Sequence, residues 1–154
     1  MAKSAPVPTI CSINAQKIID ACEKYWDENS GNCSGFVKSV ATGLGIILSG
    51  QANDIVDFIK DNNNWYDVNS GSDAMLWAEA GYLVVGGLKG SDQAKPSANG
   101  HVVIVVPGPV DRTYPAAYWG SLGGTGKKKT TVNYAWSKAD RDNVIYRAAR
   151  PTVY

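Results

Sequence analysis

Gly100-His101-Val102-Val103-Ile104-Val105-Val106 is the stretch on which the fold turns. The residues after His101 are apolar without interruption, so neither side of the chain faces water, and the segment reads as a central strand buried on both faces of a sheet. Shorter runs around it, at 82–85, 117–119, 132–136 and 144–147, also read as strands, separated by Gly, Pro and Asn clusters. Upstream the period changes. Ile18, Cys22 and Trp26 lie four apart within a predicted helix over 12–27. Cys33, Phe36, Val37, Val40, Ala41 and Leu44 form one stripe of a second helix over 33–44, which ends at Gly43 and Gly45. A third helix is expected over 52–60 and a short fourth over 72–80, with Ser72 as its N-cap. Helices first and strands second define an α+β chain. Residues 91–100 and 122–129 are the expected mobile loops.

A chain of 154 residues fits one domain, 1–154, large enough to bury a core without metal or disulfide staples. Hydrophobic residues make up 44% and charged residues 19%, a globular composition. A net charge of +1 gives no reason to expect a nucleic acid or an anionic membrane as partner. No segment approaches the roughly 18 unbroken apolar residues that span a bilayer. Met1-Ala2-Lys3-Ser4-Ala5-Pro6-Val7-Pro8 lacks the apolar core of a secretory signal, so action outside the cytoplasm would need dedicated export machinery. Three cysteines leave at least one unpaired. Either Cys11 and Cys22 form a disulfide and Cys33 is free, or all three are reduced.

The candidate chemistry lies in Cys33 and His101. Gly31-Asn32-Cys33-Ser34-Gly35-Phe36-Val37 sets a cysteine at the start of a helix, and the only histidine opens the central strand. A thiol attacks as thiolate, and both a helix N-terminus and a nearby imidazolium lower its pKa. Because Cys33 shares the apolar stripe of its helix, its sulfur points toward the sheet, where the imidazole meets it at one edge of the helix–sheet seam. His101 then acts as general base and later as general acid. The unpaired N–H groups of Cys33 and Ser34 would face the oxyanion; losing one such donor typically costs about 10²–10³ in kcat. A structural zinc site needs four Cys or His ligands, which one histidine and scattered cysteines do not supply, so no metal and no cofactor is expected. The rival reading is an interaction module in which Cys33 and His101 are inert core residues.

Asn32-Cys33-Ser34-Gly35-Phe36-Val37 followed by Gly100-His101-Val102 resembles the NlpC/P60 cysteine peptidases, and within them the type VI secretion amidase effectors of types 1 and 3. Leu83 to Gly90, Tyr114-Pro115 and Trp119-Gly120-Ser121 extend the resemblance over nearly the whole chain. It implies a papain-like fold, with N-terminal helices packed on a central antiparallel sheet. It also implies an amidase that cuts peptidoglycan stem peptides of Gram-negative bacteria, at the D-glutamyl–diaminopimelate bond or, alternatively, the diaminopimelate–D-alanine cross-link. Such a toxin is made in the cytoplasm, injected by a type VI apparatus into a rival's periplasm, and blocked by a periplasmic immunity protein. A phage or housekeeping wall hydrolase of the same fold is the other enzymatic reading. One departure concerns the residue that orients the histidine: Ala116-Ala117-Tyr118-Trp119-Gly120-Ser121 has no His, Asn, Gln or Asp, and Trp119 stands where a type 1 effector has cysteine. A backbone carbonyl or Ser121 then orients His101, or the site works as a dyad. Ser34, Trp119 and Ser121 are the candidate substrate contacts.

Other features have plainer readings. Lys127-Lys128-Lys129 reads as a solvated loop, or else as a steering patch for acidic partners. Asp54 and Asp57 read as a polar helix face rather than a metal pair, and Asp140-Arg141-Asp142 as a surface turn. Trp65, Trp77 and Trp136 read as packing residues.

Overall fold

The computed structural model describes residues 2–154. Helix α1 (Ser12–Asn29) buries Ala15, Ile18 and Cys22 along the stripe that the spacing marks. Helix α2 (Cys33–Gly43) starts where the Asn32 side chain accepts the Gly35 N–H at 2.9 Å. Helix α3 (Ala52–Asp61) opens with a capping box between Gln51 and Asp54. Helix α4 (Gly71–Glu79) is capped by Ser70, which accepts the Asp73 N–H at 3.0 Å. Ser72, expected as that cap, lies inside the first turn, because a cap serves the amide three residues on and Ser70 stands at that distance from Asp73.

The strands are β1 (Tyr66–Val68), β2 (Leu83–Leu88), β3 (His101–Val105), β4 (Ala116–Trp119), β5 (Lys127–Thr131) and β6 (Ile145–Ala149). They form one antiparallel sheet in the order β1-β6-β2-β3-β4-β5. The chain is α+β, with the architecture of a papain-like amidase. Val102 and Ile104 point into a core shared with Phe36, Val37, Val40, Ile55 and Ile59, whereas Val103 and Val105 point into a second core with Trp77, Trp119, Trp136 and Tyr146. β3 is therefore covered on both faces, and alternation along it decides which core each side chain enters. Trp65, Trp77 and Trp136 are all buried packing residues.

Two further expectations need correction. Residues 132–136 do not form a strand. The strand is Lys127–Thr131, and Val132–Tyr134 follows it as a 3₁₀ turn. The lysine run is legible in retrospect: β5 is the sheet edge, where exposed lysines block further strand pairing and no apolar alternation is required. Lys128 Nζ lies 5.0 Å from the Trp26 ring centroid and 2.9 Å from Glu23 Oε1, so this segment is not a mobile loop. Within 91–100, Ala98 O accepts from the Asn53 side chain at 2.9 Å and the Ala94 N–H donates to Asp140 at 2.7 Å.

Of the two readings of the thiols, the structure selects the reduced one. Cys11 is the N-cap of α1 and Cys22 lies deep within it, so the helical rise puts their Cα atoms about 16 Å apart, far beyond the roughly 7 Å a disulfide tolerates. All three cysteines are free, and Cys22 is fully buried.

Candidate active site

The turn before α2 is closed by Asn32 N–H donating to Asn29 O at 3.0 Å, and the Asn32 side chain then caps Gly35. Cys33 and Ser34 follow at once, with backbone N–H groups that no preceding helical turn can satisfy. Cys33 is 8% exposed and belongs to the core between α2 and the sheet. Burial raises its thiol pKa, partly offset by the backbone N–H groups of Val102, Ser34 and Cys33 itself, which favour the thiolate. The residue beside His101 thus supplies one of the amides that face the sulfur.

His101 opens β3 opposite Leu88, in phase with Val103 and Val105. Its ring accordingly lies on the tryptophan side of the sheet, with centroids 5.1 Å from Trp136 at 68° and 6.4 Å from Trp119 at 87°. Desolvation pushes its pKa down to about 4, so the imidazole is neutral around pH 7 and available as a proton acceptor. The Cys33 thiol and the His101 imidazole both line one cleft at the end of β3. Among the described residues no hydrogen bond joins Sγ to the ring. Burial thus works against both charged forms, raising the thiol pKa and lowering that of the imidazole, opposite to the thiolate–imidazolium pair the sequence suggests. In a substrate-free site the hydrogen bonds of a catalytic pair are often long and tighten only once substrate is bound.

The cleft wall comprises Asn32, Cys33, Ser34, Gln51, Ala52, Asn53, Ala98, Asn99, Gly100, His101 and Leu122. None of these carries a formal charge at neutral pH, so backbone-like amide chemistry dominates the site. Ser34 is 3% exposed, with Oγ 3.2 Å from Asn32 Oδ1 and 3.1 Å from Gln51 Oε1; it ties the start of α2 to the start of α3. Trp119 is 2% exposed and packs against the His101 ring instead of entering the cleft wall. Ser121 also lies outside the wall, its N–H donated to Ser30 O at 2.9 Å, and its neighbour Leu122 reaches the cleft instead.

Gln51, Asn53, Asn99 and Leu122 escape the sequence reading. Only Gln51 has a local signal, the capping-box spacing to Asp54; the others are brought in by long-range folding. Asp54 and Asp57 are used elsewhere: Asp54 accepts from Gln51 N–H at 2.9 Å and Asp57 pairs with Lys89 at 2.9 Å. No polar side chain from β4 approaches the imidazole. Ile104 faces Tyr118 across the pair, and the Trp119 and Trp136 rings contact the imidazole.

No family model matches the chain. It is 38% identical over 143 residues to the peptidoglycan amidase Tse1 of Pseudomonas aeruginosa, an alignment covering 85% of this chain and 88% of that protein. At that identity, over most of the length of both proteins, the chain belongs to the family of Tse1.

Proposed function

We propose that this chain is a peptidoglycan amidase, a single domain over 1–154 that hydrolyses an amide in the stem peptide of the Gram-negative wall with Cys33 as nucleophile. One observation carries the reading: a cysteine at a helix start and the chain's only histidine line the same cleft, in a relative of a peptidoglycan amidase. His101 takes the Sγ proton as sulfur bonds to the carbonyl carbon. The N–H groups of Cys33 and Ser34 receive the oxyanion. His101 returns the proton to the departing amine, leaving an acyl-thioester, and a water deprotonated by His101 then releases the acid and frees the thiol. In this mechanism the pair acts as a dyad, with the imidazole held by its ring contacts to Trp136 and Trp119.

The bond cut is the D-glutamyl–diaminopimelate amide, with the cross-link as the alternative. The NlpC/P60-type resemblance of the Cys33 and His101 motifs supports that choice. It also supports delivery by a type VI apparatus into the periplasm of target cells and inhibition by a cognate immunity protein. The test is incubation of purified Gram-negative sacculi with wild type, Cys33→Ala and His101→Ala. Soluble muropeptides from wild type alone, with fragment masses matching cleavage after D-glutamate, are expected. Equal release by all three proteins, or release by none, overturns the proposal and favours an interaction module.

A further inference from the structure

Residues 121–126 bring Leu122 into the wall of the cleft, and their two ends are fastened to the turn that precedes Cys33. The Ser121 and Gly126 N–H groups both donate to Ser30 O, each at 2.9 Å. Just outside them, the Trp26 indole N–H is shared between Trp119 O and Lys127 O at 3.1 Å each. The clasp leaves no room for side chains at its base. A Cβ on Gly120 would lie 2.2 Å from Asn29 O, and one on Gly126 would lie 1.7 Å from Trp119 O. The tip is different: Gly123 has φ +75° and open space around it.

The segment is thus a flap fixed at its base relative to Cys33, with Leu122 on it 74% exposed and lining the cleft. A lone exposed leucine is ordinary on a protein surface. This one is the only large apolar side chain in a wall otherwise made of amides, small residues and the Cys33–His101 pair.

We propose that Leu122 is a specificity-determining contact, which packs on the methyl group of a stem alanine adjoining one of the two residues joined by the scissile amide, while the amide-lined wall takes the peptide N–H and C=O groups. The inference rests on the amidase reading above and names the substrate feature that the site selects. Burying one methyl group corresponds to about a four-fold gain in kcat/KM.

The experiment compares two synthetic stem tetrapeptides, one with its natural alanines and one with glycine at those positions, on wild type, Leu122→Ala and Leu122→Met. Wild type is expected to prefer the alanine peptide about four-fold or more. Leu122→Ala should lose that preference by slowing on the alanine peptide alone, and Leu122→Met should recover it. An equal loss on both peptides marks a merely structural flap and overturns the proposal, as does no loss on either. If wild type cuts neither peptide, the amidase reading itself fails and this inference falls with it.

Discussion

The burial of His101 makes a quantitative prediction about stability. Its folded pKa of about 4 lies below the ordinary value of 6.5, so the unfolded chain binds the proton first as pH falls. Stability therefore declines from near pH 6.5 downward, until the folded imidazole protonates near pH 4. At pH 5 the unfolded state is almost fully charged at this group and the native state mostly neutral. The gap is about 1.5 pH units, or about 2 kcal/mol of stability lost relative to pH 7.5. The chain has one histidine, so no other imidazole titrates in that window. The carboxylates held low by their partners, Glu23 and Asp111, add their own losses only as pH falls further, through the carboxylate range. Urea unfolding followed by tryptophan fluorescence at pH 7.5 and pH 5.0 on wild type and His101→Gln measures the effect. Wild type should lose about 2 kcal/mol and the variant far less. Equal losses in the two proteins, or a histidine proton resonance that titrates near 6.5, would refute the claim that the ring is desolvated.

Three other perturbations have expected outcomes. Asn32→Ala removes the α2 cap and should cost about 1 kcal/mol in urea unfolding while lowering kcat on sacculi, because the same turn presents the Cys33 amide. Gly120→Ala forces a Cβ against Asn29 O and should cost about 1–3 kcal/mol, with a fall in activity as the flap base shifts; unchanged stability would contradict the close approach. Titration with a thiol reagent should find three reactive thiols after denaturation without reductant. In the native protein Cys22 should be protected, and Cys33 should react faster as pH rises, since burial raises both pKa values.

Much of this architecture is readable from local pattern. Phe36, Val37, Val40 and Ala41 reveal α2 because its apolar face repeats at the helical period, and Val102–Val106 reveals a central strand because both its faces are covered. What escaped depends on context that no short window holds. β1 spans three residues, too few for alternation to register, and Lys127–Lys129 pairs as a strand only because β4 and Glu23 are waiting for it. The catalytic candidates were legible as residues but not in their electrostatic state. A helix start and a neighbouring imidazole argue for a thiolate; burial of both groups, which arises from Trp119, Trp136 and the α2 core, drives the pair the other way. Leu122 carries no motif, and its role follows from two donors converging on the Ser30 carbonyl.

In the proposed mechanism Cys33 forms a covalent thioester with the acyl half of a stem peptide. Intact-mass analysis of protein quenched with acid during turnover tests it most directly. Wild type should gain the mass of the acyl fragment, mapped to the peptide containing Cys33, and Cys33→Ala should gain nothing. Stem-peptide hydrolysis that proceeds undiminished in Cys33→Ala, or an adduct located on another residue, would contradict it.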